Sequence, residues 1–551
     1  MKQNLKRFLI LSGLLCSILT EPKEKPCDTP CPTGCTQSQN LLQPHAFGTS
    51  MSRETILEKQ AWASADYRED WFGTFGVGVD FQTNRSGKNC SCEPVACCKS
   101  LGSMPFWASQ NGEPFFSNQM TLGSNKSGSD LDVYQMGMGP VTTTGTITLN
   151  PVIYQAGADF LLYLGSQRDE RGWWMKLKAP IGVTALNPLL SYATSLESVA
   201  YPIGTLAATT ETAAPFANIA DAFASDTSTG FLQQMVFGRI DCKRISQAHF
   251  GDLEFAFGYN VIADEKKHLG IGARVCFPTG NKADGIDILQ PIFGRNGHGG
   301  IGGELIGHWD FWQCDTDDTY AALWFDGMAM HLFKSNHIRS FDLTANGLGS
   351  KYLLVAKYSG NVFQNSIQNA VNITTIEIGS TFAVEGNFAL GFDFHHRNWS
   401  FMVGYEGWGR SCEKLSIDCT IPGAIDYNQY AVLGRQSPYT SLGATLDLCE
   451  PLAKIGKSLD RVEVVPAPST GIVLATNASN RLPQDGNDVL NIDAQRAHAA
   501  YTSKPFGQIQ YTWKDYCYIP YVGVSGGYEF THLKNSAVNL WNISVQGGIT
   551  F

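Results

Sequence analysis

The last eleven residues alternate without a break. Trp541, Ile543, Val545, Gly547, Ile549 and Phe551 fall on one side, and Asn542, Ser544, Gln546, Gly548 and Thr550 on the other. Period two belongs to a strand with one apolar and one polar face. About 9–11 residues is also what a tilted strand needs to cross a hydrocarbon layer. The alternation recurs upstream. Leu253, Phe255, Phe257, Tyr259 and Val261 alternate with Glu254, Ala256, Gly258 and Asn260, and Leu269–Phe277 repeats the pattern. Phe382, Val384, Phe388, Leu390, Phe392 and Phe394 are expected to share a face opposite Thr381, Glu385, Asn387 and Asp393. With segments near 74–81, 152–164, 173–183, 303–312, 321–333, 399–406, 442–448 and 519–530, and weaker ones near 131–138, 351–358, 371–378 and 506–513, the count is about 16, in a range of roughly 14 to 18.

Strands with one lipid-facing side must pair every backbone N–H and C=O, so their sheet has to close. Composition agrees: 43% hydrophobic but only 16% charged, with 56 Gly, 31 Phe, 20 Tyr and 12 Trp in 551 residues. After the N-terminus no run of roughly 18 apolar residues offers a spanning helix. The expected class is all-β, a transmembrane antiparallel β-barrel over 71–551. Trp173, Trp174, Trp309, Trp399 and Trp541, near strand ends, are read as aromatic girdles.

Lys2, Lys6 and Arg7 precede an apolar stretch, Phe8–Leu19, the layout of a secretory signal, assigned to 1–20. Residues 21–70 form a Cys/Pro-rich leader ending in a short periplasmic helix or turn within 53–68. Cys27, Cys31 and Cys35 are spaced by four, and Cys90, Cys92, Cys97 and Cys98 form a second cluster. No histidine or fourth cysteine stands at zinc-site spacing, so no metal is expected. Export makes disulfides the reading, as loop staples or intermolecular links, with connectivity open. His395–Asn398 reads as a tight turn, and 279–298, 407–429 and 464–500 as external loops. For 185–229, rich in Ala, Ser and Thr, an exposed loop and a constriction folded into the lumen both stay open.

The signal, the alternation and the terminal strand Trp541–Phe551 resemble bacterial outer-membrane porins over roughly residues 70–551. That resemblance implies that the barrel assembly machinery reads Phe551 together with Ile549 and Val545, and that Trp541 and Ile543 belong to the same assembly strand. It further implies a homotrimer. The cysteine pattern of 27–98 resembles the cysteine-rich major outer-membrane proteins of chlamydia-related bacteria, which implies disulfide-linked envelope partners. Fatty-acid transport barrels share a terminal aromatic, but their hatch is N-terminal, where this chain carries a polar, cysteine-rich leader.

The polar strand faces carry Lys176, Lys178, Glu254, Arg274, Glu304, Asp326, Glu385, Asp393, Glu406, Asp447 and Glu529, with Asp80 and Asp159 beside them. These are the candidate lumen residues of a mildly cation-tolerant pore. Gly297–Gly303 lacks the Lys-Ser/Thr of a nucleotide loop, and neither a Gly-x-Ser-x-Gly nor a His-Glu-x-x-His motif occurs, so no enzyme and no cofactor are expected. A net charge of −10 without a basic stripe excludes nucleic acid. The expected function is an outer-membrane porin passing small hydrophilic solutes or ions. The alternative is a disulfide-stabilised structural or adhesive protein with a closed or plugged barrel.

Overall fold

The computed structural model describes residues 45–62, 71–84, 151–166, 171–188, 216–224, 230–241, 245–314, 318–359, 362–417, 425–433, 486–516, 518–531 and 538–551, without 265, 315–317 and 498. Shorter pieces between 119 and 149, at 190–195, 444–445, 465–466 and 482, complete it. The signal, all seven candidate disulfide cysteines and Asp447 lie outside the described residues.

The barrel strands are β1 (Trp71–Thr83), β2 (Val152–Ser166), β3 (Gly172–Asn187), β4 (Leu253–Asp264), β5 (Lys267–Phe277) and β6 (Gly300–Cys314). They continue with β7 (Thr319–Ser340), β8 (Thr375–His396), β9 (Trp399–Arg410), β10 (Ala500–Thr512), β11 (Ile519–Thr531) and β12 (Leu540–Thr550). Neighbours in sequence pair antiparallel, and β12 pairs with β1, Thr74 opposite Thr550 and Thr83 opposite Trp541, which closes the ring. Phe551 exchanges both backbone hydrogen bonds with Gly73.

The sheet has fourteen strands; Ile245–Phe250 and Glu413–Ser416 lie off the ring, leaving twelve in it. That is fewer than the sixteen read from alternation, for a physical reason. Of 131–138 the described strand is 131–132, in a small sheet outside the ring as 354–358 is in another, and 371–378 is a helical turn followed by the first residues of β8. Only 444–445 of the 442–448 segment is described, paired with 465–466.

Outward positions are apolar all round: Val79, Ile271, Val403, Ile509, Ile543 and Val545 are each about half exposed. A sheet exterior of this kind is suited to lipid and not to water. Exposed Trp71, Trp173, Trp309, Trp312, Trp399 and Trp513 gather at one rim, where short turns join the strands. Trp174, read as part of that girdle, points inward and is buried, as strict alternation after Trp173 demands. Its ring lies on a bed of glycines: a Cβ at Gly258 or Gly272 would stand 2.3 or 2.6 Å from it.

One strand breaks period two. In β8, Ala383 and Val384 both face out, two residues set against His331 alone, so Phe382 turns to the inner side and shares it with Glu385. This β-bulge overturns the single apolar face read from Phe382 to Phe394.

Beyond the long-loop rim, connecting segments build a second core. Leu190, Ile219, Phe223, Leu354, Val355 and Ile367 are buried in it. Helix Ile219–Ala224, within the 185–229 stretch, packs into this core through Phe223 against Tyr352. Residues 279–298, read as an external loop, fold inward instead: Asn281, Gln290, Phe293, Arg295 and His298 are buried.

Candidate functional site

The barrel interior is occupied. Helix α1, Met51–Trp62, is buried at every residue and touches β1, β2, β7, β8, β9 and β12, strands from opposite sides of the ring. The sequence reading placed a short helix or turn of this region on the periplasmic side; the helix stands inside the barrel. Its residues are mostly good helix formers, but twelve residues alone are marginal in water. The barrel wall supplies what the helix lacks.

The N-terminus shows this first. Glu406 Oε1 on β9 accepts the backbone N–H of Met51 at 2.7 Å, and Oε2 accepts the hydroxyls of Ser50 and Ser52 at 2.9 and 2.6 Å. A carboxylate satisfies free N–H groups and suits the positive end of the helix dipole. Lys504 Nζ lies 3.2 Å from the same carboxylate and donates to Ser50 Oγ at 2.8 Å. Upstream, His45 stacks on Trp408 and lies 3.3 Å from Glu529.

The four charges of the helix point in three directions, Glu54 and Glu58 sharing one, and each meets an opposite charge. Arg53 reaches Asp80 and, at 3.0 Å, Asp159. Glu54 accepts from Lys178 at 2.9 Å and from Arg274 Nη2 at 2.7 Å. Glu58 pairs with Lys176, and Lys59 lies 3.0 Å from Asp393 while donating to Ser400. Buried ions of this kind persist only when paired. Glycines provide the clearance: a Cβ at Gly76 would lie 2.5 Å from Tyr521 Oη and 3.0 Å from Leu57 on the helix.

All the described candidate lumen residues are buried inside the ring. Lys176, Lys178, Arg274, Asp393 and Glu406 meet the helix directly, and Glu529 meets His45 ahead of it. Glu304 and Asp326 bind the other side of Lys176 at 2.6 and 3.2 Å. Glu254 and Glu385 hold Arg295 of the inward loop at 2.6 and 2.7 Å. Glu54, Glu58 and Asp326 could together surround a metal ion, but Lys176 Nζ already stands among them as their cation.

The sequence reading missed Arg53, Glu54, Glu58, Lys59 and Arg295. A signal was present: two adjacent opposite-charge pairs, five residues apart, leave the helix no single polar face to turn to water.

No family model and no curated relative matches the chain. Among solved structures, it is similar to an outer-membrane channel from Pseudomonas putida F1, at 8% identity and a TM-score of 0.35, covering 87% of this chain and 96% of that one. A Pseudomonas aeruginosa FadL homologue (8%, TM-score 0.27) covers 89% of this chain and is itself covered over 92%. A deletion mutant of TodX, a monoaromatic hydrocarbon channel, gives 6% and 0.28, with 89% and 91% covered. At that distance the likeness assigns neither family nor function.

Proposed function

We propose that the protein is an outer-membrane channel held shut by its own N-terminal helix, and that it passes small hydrophilic solutes or ions when the helix is displaced. One observation carries this reading: α1 is bound to the wall by ion pairs and hydrogen bonds around its whole circumference. A plug bound by polar contacts leaves a wall that water can wet once it moves. Withdrawing α1 uncovers Asp80, Asp159, Asp393 and Glu406 on one side, and Lys176, Lys178 and Arg274 on the other. Glu254, Glu304, Asp326, Glu385 and Glu529 add to the acidic side of the balance, which favours cations in the opened state.

Planar-bilayer recording of the intact protein tests it. Rare, large conductance steps from a mostly silent barrel are expected, with a reversal potential in a salt gradient that reports cation preference. A correctly folded barrel that stays silent even when the helix contacts are weakened would point to an anchoring role instead. Barrel assembly machinery, envelope partners and a trimer remain expectations of the porin resemblance.

A further inference from the structure

The charged contacts of α1 end one turn before its last residue. Trp62 instead enters an aromatic slot at the short-turn rim. Its indole lies flat on the His268 ring, centroids 3.9 Å apart and planes within 7°. Phe72 meets it edge-on at 5.0 Å, and His308, 4.4 Å from His268 on the same side, lies tilted at 5.2 Å. His308 is itself stacked on Trp324 at 4.7 Å. His268 and His308 are direct cross-strand partners on β5 and β6 and share a hydrogen bond through their Nδ1 atoms.

Three polar atoms of this slot are buried with no hydrogen-bond partner among the described residues: Trp62 Nε1, His268 Nε2 and Trp324 Nε1. Buried polar groups ordinarily find partners. The two on the wall, beside a stacking platform, mark a place suited to a ring whose hydrogen-bonding group can reach them. Trp62 supplies the ring, but its own indole N–H reaches neither atom, and all three stay unpaired.

We propose that the slot filled by Trp62 is a binding site for a flat aromatic solute bearing a hydrogen-bonding group, and that such a solute competes with Trp62 and frees the C-terminal end of the plug. This rests on the reading of α1 as a displaceable plug. Stacking and edge contacts favour a planar ring over an aliphatic one of equal size. Because the occupant is part of α1, binding of the solute and seating of the helix end exclude each other, so the two are linked.

Free indole is the probe, measured by equilibrium dialysis against the full-length protein in detergent, with heat-modifiable gel mobility as the folding control. Trp62→Ala should bind indole at least about tenfold more tightly than the intact protein, whose own Trp62 competes. Adding His268→Leu, which keeps bulk but removes the flat face, should cost about tenfold. Phe72→Leu in the Trp62→Ala background gives a second reading should His268→Leu fail to fold. Cyclohexanol should bind Trp62→Ala weakly. Equal binding of indole and cyclohexanol, or no gain in indole binding in Trp62→Ala, would overturn the site. Dialysis does not depend on conductance, so failure here leaves the channel reading intact, and a silent barrel that still binds indole as expected supports the slot alone.

Discussion

Glu406 and Met51 are joined by a 2.7 Å hydrogen bond from the helix backbone to a carboxylate of the barrel wall. The first turn of α1 is thus capped by a carboxylate of the barrel wall. Glu406→Gln removes the charge and leaves Lys504 facing Ser50 without its carboxylate. Breaking a buried pair costs about 3–5 kcal/mol. The expected result is a channel that opens more often, with the barrel itself intact by heat-modifiable mobility. Unchanged open probability would show that this cap does not hold the plug.

Gly76 tests the same seat by bulk. Its Cβ position is 3.0 Å from Leu57, so Gly76→Leu cannot coexist with the helix where it stands. Overpacking costs about 1–3 kcal/mol, which should move α1 and leave the β1–β12 pairing in place. Protease cleavage within 51–62 should quicken in the variant; equal cleavage rates would place Leu57 away from β1.

Acidification should loosen the inward loop through His298. This imidazole, just ahead of β6, contacts Phe333 O at 2.9 Å and Ser380 Oγ at 3.3 Å. Burial pushes its pKa down to about 4. The unfolded value is about 6.5, so the neutral ring is favoured in place and its contribution is complete above about pH 6.5. As pH falls from about 6.5 to about 4, on the order of 2–3 kcal/mol is lost. Hydrogen exchange across 279–298, corrected for intrinsic rate, should speed up over that window. His298→Gln should flatten the dependence, and an unaltered slope in that variant would assign it to another group.

Phe551 and Thr550 should fail differently. Phe551 ends the lipid-side row with Ile549 and Val545, while Thr550 is fully buried and donates to the carbonyl of Gln60 on α1 at 3.2 Å. Phe551→Asp, a charge on the outer face costing about 0–4 kcal/mol by depth, should lower the yield of folded barrel. Thr550→Asp should fold the ring yet unseat the end of the helix, read as raised conductance per folded protein. Identical assembly defects in both would contradict this division.

Much of the ring was legible because lipid enforces period two: Ile543, Val545 and Ile549 could be placed on the outer face from alternation alone. The pattern fails where a second environment intervenes. Ala383 and Val384 look like any two strand residues, and only the unequal pairing of β7 with β8 shows the bulge. Charge was more deceptive. Arg53, Glu54, Glu58 and Lys59 fell in a segment read as a short periplasmic helix or turn, because a sequence does not show that Asp80, Lys178, Lys176 and Asp393 await them inside the barrel. Arg295 hid in a polar stretch for the same reason.

The contact between Thr550 and Gln60 ties the last strand to a helix that precedes the first. The helix comes first along the chain and the closing strand last, and because the helix alone is marginal its seat is complete only once the ring has closed. Contacts this distant along the chain form slowly. A chain halted short of its final strand would lack its seam and, in the same stroke, one of the fastenings of its plug; completion of the wall and retention of the stopper become a single event.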